Sequence, residues 1–185
     1  MKRALALILL LAACREEVAQ ITDPVALTPE TVGHVCQMNL LEHEGPKGQV
    51  HLEGLPGAPL FFSQVRDVVA YLRLPEQTHR ILAVWVNDMG APGATWEVPG
   101  PTNWIDAHKA HYVVGSARDG GMGAPELVPF ADRQAALDFA AQYGGNVMRL
   151  ESIPESAVIA PVPDDGESDA DFSRRLKALS DRTGG

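Results

Sequence analysis

Cys36 and Met38 stand two positions apart in the stretch His34-Val35-Cys36-Gln37-Met38-Asn39-Leu40, which brings two soft sulfur atoms into a short space. Residues i and i+2 share a face when the backbone is extended and lie about 200° apart on a helix. The stretch follows a segment containing Pro24 and Pro29 and precedes Gly45-Pro46, so an extended conformation is predicted, with both sulfurs on one side. His34, two positions before Cys36, would then extend the row and offer a nitrogen. A thiolate and a thioether suit Cu(I), whose softness favours sulfur sites of low coordination number. Zinc fits poorly, because it takes four nitrogen, thiolate or carboxylate ligands. A lone C-x-M is also a common core filler, since free cysteine ranks among the most buried residue types.

A third ligand has to come from elsewhere, and Met122 is the best candidate. It sits in Gly120-Gly121-Met122-Gly123, where its neighbours offer no side chains to pack against. The glycines are not a phosphate cradle, because neither G-x-G-x-x-G nor a following Walker lysine is present. His108 and His111 have the i, i+3 spacing of two ligands on a helical turn, although solvated histidines before a strand are the better reading. Met89 and Met148 read as fillers. No G-x-S-x-G, H-E-x-x-H or C-x-x-C occurs, so no enzyme signature supports catalysis.

The thiol at Cys36 is notable because the chain carries export signals. Lys2 and Arg3 precede an uninterrupted run of Ala, Leu and Ile over residues 4–13, too short to cross a bilayer as a helix. Leu11-Ala12-Ala13-Cys14 resembles a bacterial lipoprotein signal, in which residues 1–13 are removed and Cys14 is acylated. The protein is then tethered to a lipid membrane on the periplasmic side, and Arg15 in place of Asp points to the outer membrane. Of the two cysteines, only Cys36 is left, so no intramolecular disulfide is available where exported thiols usually pair. The formal charge of −9, without a basic cluster, argues against a nucleic-acid partner.

The elements that must position these sulfurs form an α+β pattern. After the signal (1–13) comes a flexible tether (14–31), then a folded region, then an acidic, mostly disordered tail (160–185) with a short helix possible near residues 172–180. Within the folded region, residues 61–72 can be laid on 129–140, pairing Phe62 with Phe130 and Tyr71 with Phe139. Both segments have helical periodicity, and each precedes a strand-like run, 80–86 and 146–153, the second introduced by a Gly144-Gly145 helix stop. Strands are predicted before each helix as well, beginning with 49–54 and 111–117. The reading is two similar ββαβ halves, 32–95 with the C-x-M and 96–159, joined near Pro92, Pro99 and Pro101.

Taken together, Leu11–Cys14, Cys36-Gln37-Met38-Asn39-Leu40, residues 45–50 (GPKGQV), 104–116, 121–130 and 140–153 make the chain resemble the NosL family of lipoproteins associated with nitrous oxide reductase maturation. The resemblance implies a fold of two ββαβ halves similar to the organomercurial lyase MerB. It also implies a Cu(I) chaperone with apo nitrous oxide reductase as recipient and a NosDFY-type ABC transporter complex as partner. The family's C-x-M falls on Cys36 and Met38, and its loop methionine on Met122; His34 is not a general family ligand. Gln37 departs from the pattern, since glycine is common there, and Met89 replaces an expected aromatic residue. A MerB-like thiol enzyme using Cys36, or an interaction module in which Cys36 is merely buried, are the alternatives.

Overall fold

The computed structural model describes residues 19–159; the apolar signal, Cys14, Arg15 and the acidic tail with its expected helix lie outside the described residues. The first strand, β1 (Gly48–Leu52), alternates: Val50 and Leu52 enter the core, while Gln49 and His51 turn to the opposite face. It is followed by β2 (Leu60–Phe62), α1 (Val65–Arg73) and β3 (Ile81–Asn87). Strand β1 lies between β2 and β3 and is antiparallel to both. A Cβ on Gly48 would overlap Val68, so the absence of a side chain lets α1 rest directly on β1. Strand β4 (Trp104–Asp106) adds to the free edge of β3.

The second half repeats the first. Strand β5 (His111–Val114) is followed by β6 (Val128–Phe130), α2 (Arg133–Tyr143) and β7 (Asn146–Met148), and β5 lies between β6 and β7. The register repeats too: Phe62 sits opposite Gly48 and Phe130 opposite His111, the first residue of each central strand. Tyr71 packs on Phe62 at 5.4 Å between ring centroids, and Phe139 on Phe130 at 5.3 Å. The pairing read from sequence is therefore one aromatic contact used twice. Asp132 caps α2 by accepting from the Ala135 amide, and Gly144, at φ 78°, ends it.

The main core takes Val50, Phe62, Val65, Val68, Val84 and Val86 from the first half and Tyr112, Val114 and Leu127 from the second, with Leu150 and Ile153 closing one side. Val113, Val128 and Phe130 face the other way and pack with Trp96 under α2. Met148 lies against the first cluster and Met89 against the second, which makes both methionines fillers, as read.

Three boundaries differ from the sequence reading. Strand β4 belongs to the first sheet although it lies after the division at residue 95, because its residues complete β3 rather than β5. The helical window 61–72 begins early, since Leu60–Phe62 are strand. Most consequentially, residues 19–31 are not a free tether. They run across the outer face of the first sheet, where Gln49 and His51 are buried and need partners. The Gln49 amide bonds both Val25 N (2.8 Å) and Val25 O (3.0 Å), Trp85 Nε1 donates to Thr22 O (2.8 Å), and Leu27 is buried.

Candidate metal centre

The Cys36 segment is a closed loop rather than an extended strand. Val32 and Asn39 form an antiparallel bridge, Gly33 N donates to Met38 O (3.0 Å), and Gln37 N donates to Gly33 O (2.9 Å). Gln37 has φ 55°, the left-handed region, and its amide donates to Gly33 O (3.2 Å) and His34 O (2.8 Å). The predicted one-sided row of His34, Cys36 and Met38 is thus corrected: a left-handed residue between the two sulfur residues turns the chain and breaks strand alternation. The Cys36 thiol is free, half-buried, and folded over Gly33, where a Cβ would overlap its Sγ. Met38 stands 40% exposed.

His34 is committed elsewhere in this loop. Its backbone N–H donates to Phe61 O, and its ring lies edge-on to Phe62 (5.8 Å) and Tyr71 (5.9 Å). Those contacts give it a packing role independent of any metal. His108 lies in a turn and His111 opens β5, so the two do not share a helix.

Met122 projects from a second loop, 44% exposed. Asp119 and Pro125 bridge its base, Gly120 N donates to Ala124 O (2.8 Å), and Gly123 N donates to Gly120 O (2.8 Å). The loop rests on the chain segment that leaves the first one. His43 Nδ1 lies 3.3 Å from Gly121 O, and a Cβ on Gly121 would come 2.8 Å from Glu44 O. The two sulfur-bearing loops therefore meet along His43 and Glu44.

Beneath this contact lie two buried ionisable side chains that sequence reading passed over. Lys47 donates from Nζ to Glu44 O (2.8 Å) and Gly45 O (2.6 Å); burial lowers its pKa to about 8 against the opposing pull of Glu126, Glu44 and Cys36. Glu126 accepts from the Arg66 (3.0 Å) and Leu127 (2.8 Å) amides through Oε1, and burial raises its pKa to about 8. Its Oε2 has no partner and faces the Gly120 backbone. Both residues sit inside stretches already singled out, GPKGQV and GMGAPELVPF. The available signal was a charged residue among residues otherwise apolar or small.

The donors fit a soft, low-coordinate ion. Among the described residues no three His, Cys, Asp or Glu side chains converge, so no zinc- or calcium-type cluster competes. What the loops offer instead is one thiol and two thioethers, with the thioethers reaching solvent where incoming ligands could meet them.

Comparison with known proteins finds copper-binding relatives. A family model described as NosL matches residues 24–158. The chain is 58% identical over 179 residues to a copper-binding lipoprotein NosL of Achromobacter cycloclastes, covering 95% of this chain and 92% of that protein. It is 36% identical over 143 residues to the copper-binding lipoprotein NosL of Stutzerimonas stutzeri, covering 77% and 72%. Its fold matches the crystal structure of the copper chaperone NosL from Shewanella denitrificans with a TM-score of 0.67 at 30% identity, over 74% of this chain and 99% of that one.

Proposed function

The chain belongs to the NosL family, and from that premise we propose that it is a membrane-tethered periplasmic copper chaperone. It binds Cu(I) through Cys36, Met38 and Met122 and passes it on for assembly of nitrous oxide reductase. Copper binding and the lipoprotein character follow the named relatives. The observation that carries the ligand assignment is the exposure of two methionines, at 40% and 44%, on loops that meet along His43 and Glu44, one of which also carries a half-buried free thiol. Methionine ordinarily fills cores, and the loops around these two supply little for them to pack against.

The protein's part is binding and transfer rather than catalysis. Cu(I) takes Cys36 as its thiolate, the one anionic donor beside two neutral thioethers. Solvent-facing thioethers allow a recipient's ligand to enter while Cys36 still holds the ion, so copper moves by exchange without being released. Apo nitrous oxide reductase and a NosDFY-type transporter complex are the proposed partners, and acylated Cys14 the anchor. The outer membrane is the proposed location. Cys36→Ser should weaken Cu(I) binding in an anaerobic chelator competition by more than the roughly 10–100-fold that an outer-shell loss costs. Unchanged affinity would refute the site, and a deletion strain with a fully copper-loaded reductase would refute the recipient.

A further inference from the structure

The contact between the two loops runs through a single imidazole, and its geometry fixes which nitrogen makes it. Gly121 O can only accept, so a hydrogen bond at 3.3 Å requires the proton on His43 Nδ1. His43 Nε2 is shut off from solvent and has no partner among the described residues. The ring borders a cavity of about 320 Å³ that it shares with Leu27, Leu40, Leu41 and Lys47. The free nitrogen is therefore enclosed, whereas the two thioethers stand in solvent. Among the described residues the ring's one polar contact is the carbonyl next to Met122.

Both sides of that contact are shaped for it. On one side, Met38 is followed by Asn39, which caps a single 3-10 turn, Leu40–Glu42, by accepting from Leu41 N. Leu40 is fully buried, and His43 N donates back to Leu40 O (3.3 Å), so the imidazole is fixed to the end of the loop that carries Cys36 and Met38. On the other side, Gly120 and Gly121 allow the Met122 loop to lie flush. A Cβ on Gly121 would come 2.7 Å from His43 Cβ, and one on Gly120 would overlap the Gln64 amide and come 2.6 Å from Glu126 Oε2. Gly123, at φ 71°, turns the chain on the far side of Met122 with nothing to pack against it.

We propose that His43 is the positioning residue of the third sulfur: its Nδ1–H holds the Gly121 carbonyl and thereby sets Met122 at a fixed distance from Cys36 and Met38. The inference rests on Met122 as a copper ligand and adds what keeps it in place before the ion arrives. A loop of three glycines would otherwise spread Met122 over many positions, and each bound ion would have to gather it in.

The test uses the full chain with His43→Ala, His43→Asn, Met122→Ala and the double variant His43→Ala/Met122→Ala. Asparagine carries an amide N–H where Nδ1–H stood. His43→Ala should weaken Cu(I) binding about 10-fold, lower the sulfur count in X-ray absorption, and speed amide exchange at residues 120–123 in the copper-free protein. His43→Asn should stay near wild type in all three. The double variant should bind no more weakly than Met122→Ala, because there is then no sulfur left to position. Wild-type affinity and exchange in His43→Ala, or an additive loss in the double variant, would overturn the proposal. Equal loss in His43→Asn together with a missing nitrogen neighbour would overturn it by making His43 a ligand. Should His43→Ala not fold, the Asn variant and its exchange rates decide alone. Unchanged affinity in Met122→Ala would remove the ligand reading itself, and the proposal with it.

Discussion

Gln37 occupies a left-handed backbone position that costs a non-glycine residue about 1 kcal/mol or more, and its side chain offsets this by bonding two carbonyls of its own turn. A glycine would hold this position without the cost, and because a glutamine stands there the loop could not be read from this sequence. Gln37→Ala should lower stability by about 1 kcal/mol, keeping the strain and losing the amide, while Gln37→Gly should leave it unchanged or raise it; urea denaturation distinguishes the two. Glu126 sets a second expectation at this scale. Between its ordinary value of 4.5 and about 8 the folded protein keeps a proton that the unfolded chain has lost. Stability must therefore fall as pH rises through that window, by at most about 1.4 kcal/mol per pH unit. His51, held neutral by burial, works in the opposite sense below 6.5. A comparison of Tm against pH for wild type and Glu126→Gln isolates the carboxyl, and the variant's profile should be flatter between pH 5 and 8.

At the level of elements, the duplication was legible because it is written in apolar periodicity and in two aromatic pairs, Phe62–Tyr71 and Phe130–Phe139. Helix α2 was legible from its Gly144 stop. Strand β4 was not: three half-buried residues after a Pro-rich join carry no alternation long enough to read. Nor was the strap formed by residues 19–31, because its hold is polar and long-range. Gln49 supplies the bonds from within a strand, and nothing in Val25 or Thr22 announces that they will accept or donate. The candidate sulfur residues were visible by type, yet the imidazole and the buried Lys47 and Glu126 around them depend on contacts between segments far apart in sequence. Leu27 tests the strap. A free tether would tolerate Leu27→Ala without loss, whereas packing against the sheet predicts a cost of about 2 kcal/mol or more in urea denaturation.

For the molecule as a whole, two repeated halves do not make two independent units. Tyr112, Val114 and Leu127 of the second half sit in the same core as Val50, Phe62 and Val84 of the first. Heating should accordingly give one transition with calorimetric and van't Hoff enthalpies in agreement, and two resolved peaks would show that the halves fold separately. The strap has a further consequence at this scale. Gln20 is pinned to Leu52 O (2.8 Å) and Gly54 N (3.0 Å), so only five residues separate the proposed lipid attachment at Cys14 from the folded body. Fully stretched, that mooring line is roughly 20 Å, against roughly 60 Å had the chain been loose as far as residue 31. With Cys14 acylated as proposed, so short a line would keep the molecule at the bilayer surface. Meeting the proposed recipient would then become a search in two dimensions, confined to whatever stands within that height of the lipid.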